Sequence, residues 1–194
     1  MASRIVLQSE HWSEGQMRTL LCFSAILVCL FVAVPLHGQK EKREPLTEDQ
    51  IEQIREAGIY PDVRVTLYAK FLNEHADILK GLSFRAKSAA RSQRLDRELQ
   101  DFTALMDEFG SNLDVYSDRH ADIRHSLKPL PAAVDRWKAI LRALPGEPGF
   151  DLARKEAIES AEDLADQATR LLREQTDYFN LHKDEQGQER AEPK

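Results

Sequence analysis

The chain has 194 residues, 31% of them charged, with a formal net charge of −6. Both cysteines, Cys22 and Cys29, lie inside one apolar run, which excludes a disulfide, a thiolate metal site or a cysteine nucleophile elsewhere. An acidic chain is a poor match for a polyanion, so nucleic acid is not an expected partner.

The apolar run covers residues 20–36, preceded by Met17-Arg18-Thr19 and followed by His37-Gly38-Gln39-Lys40. A secretory leader needs a basic start, an apolar core of roughly 7–15 residues and small residues before the cut. Met17-Arg18 supplies that start, and Met17 can itself serve as the initiator, so residues 1–38 read as a signal peptide cut between Gly38 and Gln39. The alternative is a membrane anchor formed by residues 19–36, although about 20 apolar residues are needed to span a bilayer. Lys40, Lys42 and Arg43 would hold the following domain on the cytoplasmic side if the run stayed uncut. Removing residues 1–38 takes away Arg4, Arg18, Glu10 and Glu14, and the net charge is unchanged. The expected location is secreted or periplasmic, with the membrane-anchored form as the alternative.

Residues 39–60 read as a charged linker and a short helix. Thr47 and Gln50 form a capping box, and Leu46 with Ile51 a hydrophobic staple. Gly58 suits the left-handed residue that closes a helix, with Ile59 folding back on Ile54. A helix over about 48–57 follows. Pro61-Asp62 starts the next.

Beyond it the apolar residues alternate three and four apart, as on packed helices. One series is Val65, Tyr68, Leu72, His75, Leu79, Leu82, Ala86 and Ala89. A second runs from Leu95 through Phe102, Phe109, Tyr116, His120, Ile123 and Leu127 to Leu130. It continues in phase through Val134, Trp137, Leu141 and Leu144. Because phase survives Pro129 and Pro131, the expectation is one long helix kinked by proline. The first two series fall out of step between Gly81 and Arg94, where a turn is expected. Pro145-Gly146-Glu147-Pro148-Gly149 is a loop, after which Asp151 is placed to cap the last helix. The third series contains Ala157, Ala161, Leu164, Ala168, Leu171, Gln175, Tyr178 and His182.

The fold class is therefore all-α: an elongated, mostly antiparallel helical bundle over residues 61–185. It has three long helices, one proline-kinked, plus the short N-terminal helix, and a disordered tail at residues 186–194.

A phrase recurs: aromatic, any, Asn or Asp, any, His, any, Asp. It occurs at Phe71–Asp77 and Tyr116–Asp122, and more loosely at Tyr178–Asp184. The chemical reading brings His75, His120 and His182 together as metal ligands or proton carriers. The plainer reading makes each a core-edge hydrogen-bond donor. A tight hairpin at Pro145–Gly149 sets His120 about 12 Å along the axis from His182, too far for a shared ion. Asp122 and His125 form one Asp-x-x-His pair, where a di-iron bundle requires two Glu-x-x-His pairs.

Arg85, Lys87, Arg91, Arg94 and Arg97 form a basic surface stretch, suited to anionic headgroups or to Glu156, Glu159, Glu162, Asp163 and Asp166 on the last helix. Trp137 reads as core. Neighbouring acids such as Asp107-Glu108 diverge on a helix and cannot share a proton. No catalytic motif is present, and no cofactor is implied. The expectation is an exported, non-enzymatic bundle of the cell envelope or exterior, acting by binding a protein partner or its own copy. Membrane contact would come through the N-terminal segment and at most the basic stretch. The alternative is a metal- or small-ligand-binding protein built on the three histidines.

Overall fold

Thr47 begins the first helix. Its Oγ1 accepts the Gln50 backbone N–H at 3.3 Å, and Gln50 Oε1 accepts the Thr47 N–H at 2.9 Å. This capping box opens α1 (Glu48–Glu56). The computed structural model describes residues 44–187. The apolar run, the Gly38/Gln39 cut and residues 188–194 lie outside them. Leu46 is buried beside the partly buried Ile51, and Gly58 closes the helix at φ +54°. Ile59 is 62% exposed and does not fold back on the core as expected. Gln50 Nε2 donates to Glu74 Oε2 at 2.9 Å and Lys70 Nζ to Gln53 Oε1 at 3.1 Å, laying α1 on the next helix.

Pro61 sits at the start of α2 (Pro61–Ser83), where its missing N–H is no loss. The helix ends before Ala86 and Ala89, which are exposed rather than part of a stripe. The turn falls between Gly81 and Arg94 as the loss of phase requires. Ser88 Oγ then accepts the Arg91 N–H at 3.1 Å and opens α3 (Ala89–Asp118).

The expected proline-kinked helix is instead broken at His120, well before Pro129 and Pro131. His120 adopts φ 51°. Its N–H donates to Ser117 O at 2.9 Å, and the Ala121 N–H donates to Tyr116 O at 2.9 Å. This is the Schellman closure, with histidine in the left-handed position that glycine usually takes. Ala121 and Ile123 are buried beyond it, so their backbone polar groups need partners. The buried Gln175 supplies them: its Oε1 accepts the Ile123 N–H at 3.1 Å and its Nε2 donates to Ala121 O at 2.8 Å. A four-residue helix, α4 (Arg124–Leu127), follows. The Ser126 N–H and hydroxyl both donate to Asp62 Oδ1, at 3.1 and 2.5 Å. Pro129 and Pro131 then begin α5 (Leu130–Ala143) rather than bending an existing helix.

After the Pro145–Gly149 loop comes α6 (Asp151–Leu181), then one 3-10 turn, Lys183–Glu185. Asp151 is the first helical residue, paired with Arg154 at 2.5 Å and Lys155 at 3.0 Å, and is not the cap itself. The described residues contain no strand.

Cross-helix bonds fix the directions. Tyr68 to Glu108 and His75 to Glu98 make α2 and α3 antiparallel. Arg142 to Glu162 and Arg154 to Leu144 do the same for α5 and α6. Ser160 to Asp107 and Gln167 to Gly110, however, make α3 and α6 parallel neighbours. Asp62 to Ser126, in the α4 turn just ahead of α5, and Asn73 to Trp137 make α2 and α5 parallel. The helices thus form a square with α3 and α5 on one diagonal, and the mostly antiparallel, three-helix expectation is corrected to four helices with parallel pairs. Buried Ala157, Ala161 and Ala168 fall on α6 where close approach is needed. At the centre Trp137 meets Phe102 edge-on at 5.9 Å, and Tyr68 stacks on Phe109 at 5.3 Å. Among the described residues no helix is long and apolar enough to cross a membrane.

Gln175→Leu leaves a buried N–H and a buried carbonyl unpaired and should cost about 2 kcal/mol or more in urea unfolding. At position 120, glycine accepts the left-handed backbone and alanine does not. His120→Gly should therefore unfold at higher urea than His120→Ala, by about 1 kcal/mol.

Candidate functional site

The three histidines take three different local positions. His75 lies inside α2, buried, its Nδ1 2.7 Å from Glu98 Oε1, with Phe102 tilted against the ring. His120 occupies the break after α3 and is exposed. His182 is the C-cap of α6, its Nδ1 2.9 Å from Tyr178 O. His120 and His182 meet one aromatic ring without converging on each other, and, in keeping with the expected axial offset, the α6 residue opposite the break is Gln175. Their rings stack on Tyr178 at 4.3 and 4.2 Å. His75 is bonded elsewhere, so the three do not converge, and no group of three His, Cys, Asp or Glu among the described residues is placed to hold a metal. Stacked imidazoles turn their nitrogens to the edges of the stack, an arrangement that serves packing better than shared coordination.

The recurring phrase does not mark equivalent positions. Asp122 is held by Arg124 through two bonds of 2.8 Å, and the same guanidinium lies 4.6 Å over the Phe179 ring. Gly187 N–H also donates to Asp122 Oδ2, at 3.2 Å, and Gln186 Nε2 donates to Phe179 O at 2.8 Å. The first two residues assigned to the tail are therefore bonded to α6 and to the segment between α3 and α4. The Arg124 side chain holds the Asp122 carboxyl below its usual range, against the opposing effect of burial. His125, its expected partner in Asp-x-x-His, is exposed.

The basic stretch divides. Arg85 and Arg94 are exposed, and Arg97 Nε donates to Gln93 O within its own helix at 3.3 Å. Arg91 is not surface: its side chain is 4% exposed and bonds Glu147 Oε1 at 2.9 Å, with Lys87 3.7 Å from the same oxygen. The acid that answers it lies in the Pro145–Gly149 loop, not on α6. That loop comes close enough that a side-chain carbon on Gly149 would sit 2.6 Å from Ser92 Oγ.

A concave surface of apolar character lies elsewhere, at the C-terminal ends of α2 and α5. A groove of about 510 Å³ is lined by Asp77, Lys80, Phe84, Arg136, Ile140 and Ala143 among others. Phe84 follows the last residue of α2 and is 80% exposed, unlike the aromatic residues that fill the core. Small residues, Ala139 and Ala143, leave the α5 side of the groove shallow, and Arg136 and Asp77 put opposite charges on its rim. Single exposed apolar residues are ordinary, and Phe84 differs from them in bordering a groove. Phe84 lies outside every helical stripe, which is why spacing did not single it out.

Folding lowers the Asp122 pKa, so the native state binds that proton less well than the unfolded chain. The stability it contributes is present above the ordinary carboxylate range and lost as pH falls through the lowered value. Asp122→Asn should flatten the acid limb of a stability–pH curve measured by thermal unfolding. No family model, curated protein or solved structure matches the chain.

Proposed function

We propose that this is an exported, non-enzymatic helical bundle of the cell envelope or exterior that works by binding another protein, or a second copy of itself. The N-terminal run supports delivery to a membrane, with Gly38/Gln39 as the cut, or alternatively retention by residues 19–36. The observation that carries the binding reading is Phe84, 80% exposed against the groove between α2 and α5. Keeping an aromatic ring in water forgoes about 1.5–3 kcal/mol of burial, a contribution a docked partner would recover. The groove chemistry favours an amphipathic helix whose apolar face covers Phe84, Ile140 and Ala143 and whose polar flank meets Arg136, Lys80 and Asp77.

The test is Phe84→Glu. Exposure at this position makes the change near neutral for stability, within about 0.5 kcal/mol. Light scattering and chemical crosslinking of the chain from Gln39 onward should reveal a dimer or a crosslinked partner that the variant loses. A stable monomer from which crosslinking recovers nothing, in both forms, would sink the reading.

A further inference from the structure

At the other end of α2, where that helix begins and α3 stops, the molecule contains a small cleft. Gly58, Pro61, Arg64, Tyr116, Arg119 and Ala121 line it, and its volume is about 100 Å³. Tyr116 is only 5% exposed, yet its hydroxyl makes no hydrogen bond, and the Nε of Arg64 is likewise buried with no acceptor. Buried polar groups are almost always satisfied, so two unpaired donors in one cleft call for an acceptor. Arg64 and Arg119 are both near enough to the Tyr116 hydroxyl to favour its ionised form, against the burial that raises its pKa.

We propose that this cleft is a binding site for a phosphate-type oxyanion. The donors suit one: two guanidinium groups, a phenolic O–H, and the positive end of α2, whose N-cap Tyr60 makes no side-chain hydrogen bond to it. No carboxylate lines the cleft. The negative end of α3 is muted, because Val115 O, Tyr116 O and Ser117 O already accept the N–H groups of Arg119, Ala121 and His120. Size narrows the ligand further. The volume is that of about three waters at ~30 Å³ each, and well below the ~300–1,000 Å³ of sites that enclose larger ligands. The cleft takes a single phosphate group, free or as the end of a phosphomonoester, and not an enclosed nucleotide. Recognition is local, since the chain as a whole carries −6. This site is independent of the Phe84 groove.

The experiment is thermal unfolding of the full chain titrated with inorganic phosphate at constant ionic strength, with chloride and acetate as controls. Phosphate should raise Tm beyond either control. Tyr116→Phe removes an unpaired hydroxyl, so its Tm without phosphate should equal or exceed the parent's, while most of the phosphate-induced shift disappears. Arg64→Gln should lose the shift, and Arg85→Gln, an exposed arginine outside the cleft, should keep it. Vesicles carrying a phosphomonoester headgroup separate the sources: binding abolished by Arg64→Gln identifies the lipid form, and a shift with soluble phosphate alone identifies the free anion. Equal Tm shifts in phosphate and chloride, or full phosphate responses in both Tyr116→Phe and Arg64→Gln, would overturn the proposal.

Discussion

The arrangement of the four helices hangs on the way α3 stops. Had the second apolar series continued as one helix, residues 95–144 would form a rod with a single face. The left-handed backbone at His120 ends that rod, and Gln175 supplies the hydrogen bonds that the released strand of backbone would otherwise lack. The clamp comes from α6, the helix that the break makes a neighbour of α3. Break and pairing thus stabilise each other, and neither is a local property of the sequence around position 120.

Once the helices are placed, polar side chains hold them in register. Aliphatic and alanine stripes alone tolerate sliding, because one apolar contact resembles the next. Trp137 Nε1 bonds Asn73 Oδ1 at 2.7 Å and Tyr68 bonds Glu108 at 2.6 Å, each at one register only. His75 with Glu98 and Arg91 with Glu147 act in the same way toward the other end of α3. Buried polar pairs of this kind contribute little net stability compared with apolar replacements, and their value lies in excluding alternatives. Histidine in this protein serves as that sort of pin at position 75 and as part of an aromatic stack at positions 120 and 182.

The sequence made several of these features legible. Thr47, Gln50 and Gly58 define α1 through strictly local chemistry, and the structure follows them. The loss of phase between Gly81 and Arg94, the Pro145–Gly149 loop and the core position of Trp137 were equally plain. The break at His120 was not, because the residue in the glycine position is histidine and the apolar phase runs on through Ile123, Leu127 and Leu130. Parallel pairing was hidden for a related reason: a short loop suggests an antiparallel neighbour, whereas α3 meets α6 only across the intervening α5. Arg91 looked like one cation in a charged run, since its acid lies far along the chain. Phe84, Arg64 and Arg119 stand near helix ends outside the apolar stripes, which period-counting passes over, and Tyr116 was legible only as one more stripe residue.

Parallel neighbours also set the order of assembly. Gln167 and Gly110 are 57 positions apart in sequence, and Trp137 and Asn73 are 64 apart. A bundle of successive hairpins can mature as its chain emerges, each helix settling on the one before. In this chain α3 cannot acquire its second long neighbour until α6 is made, so loop closure over more than fifty residues precedes completion of the core. Until its last helix is present, such a polypeptide lacks the side chain that clamps the backbone released at His120, and the far half of α3 keeps an open flank.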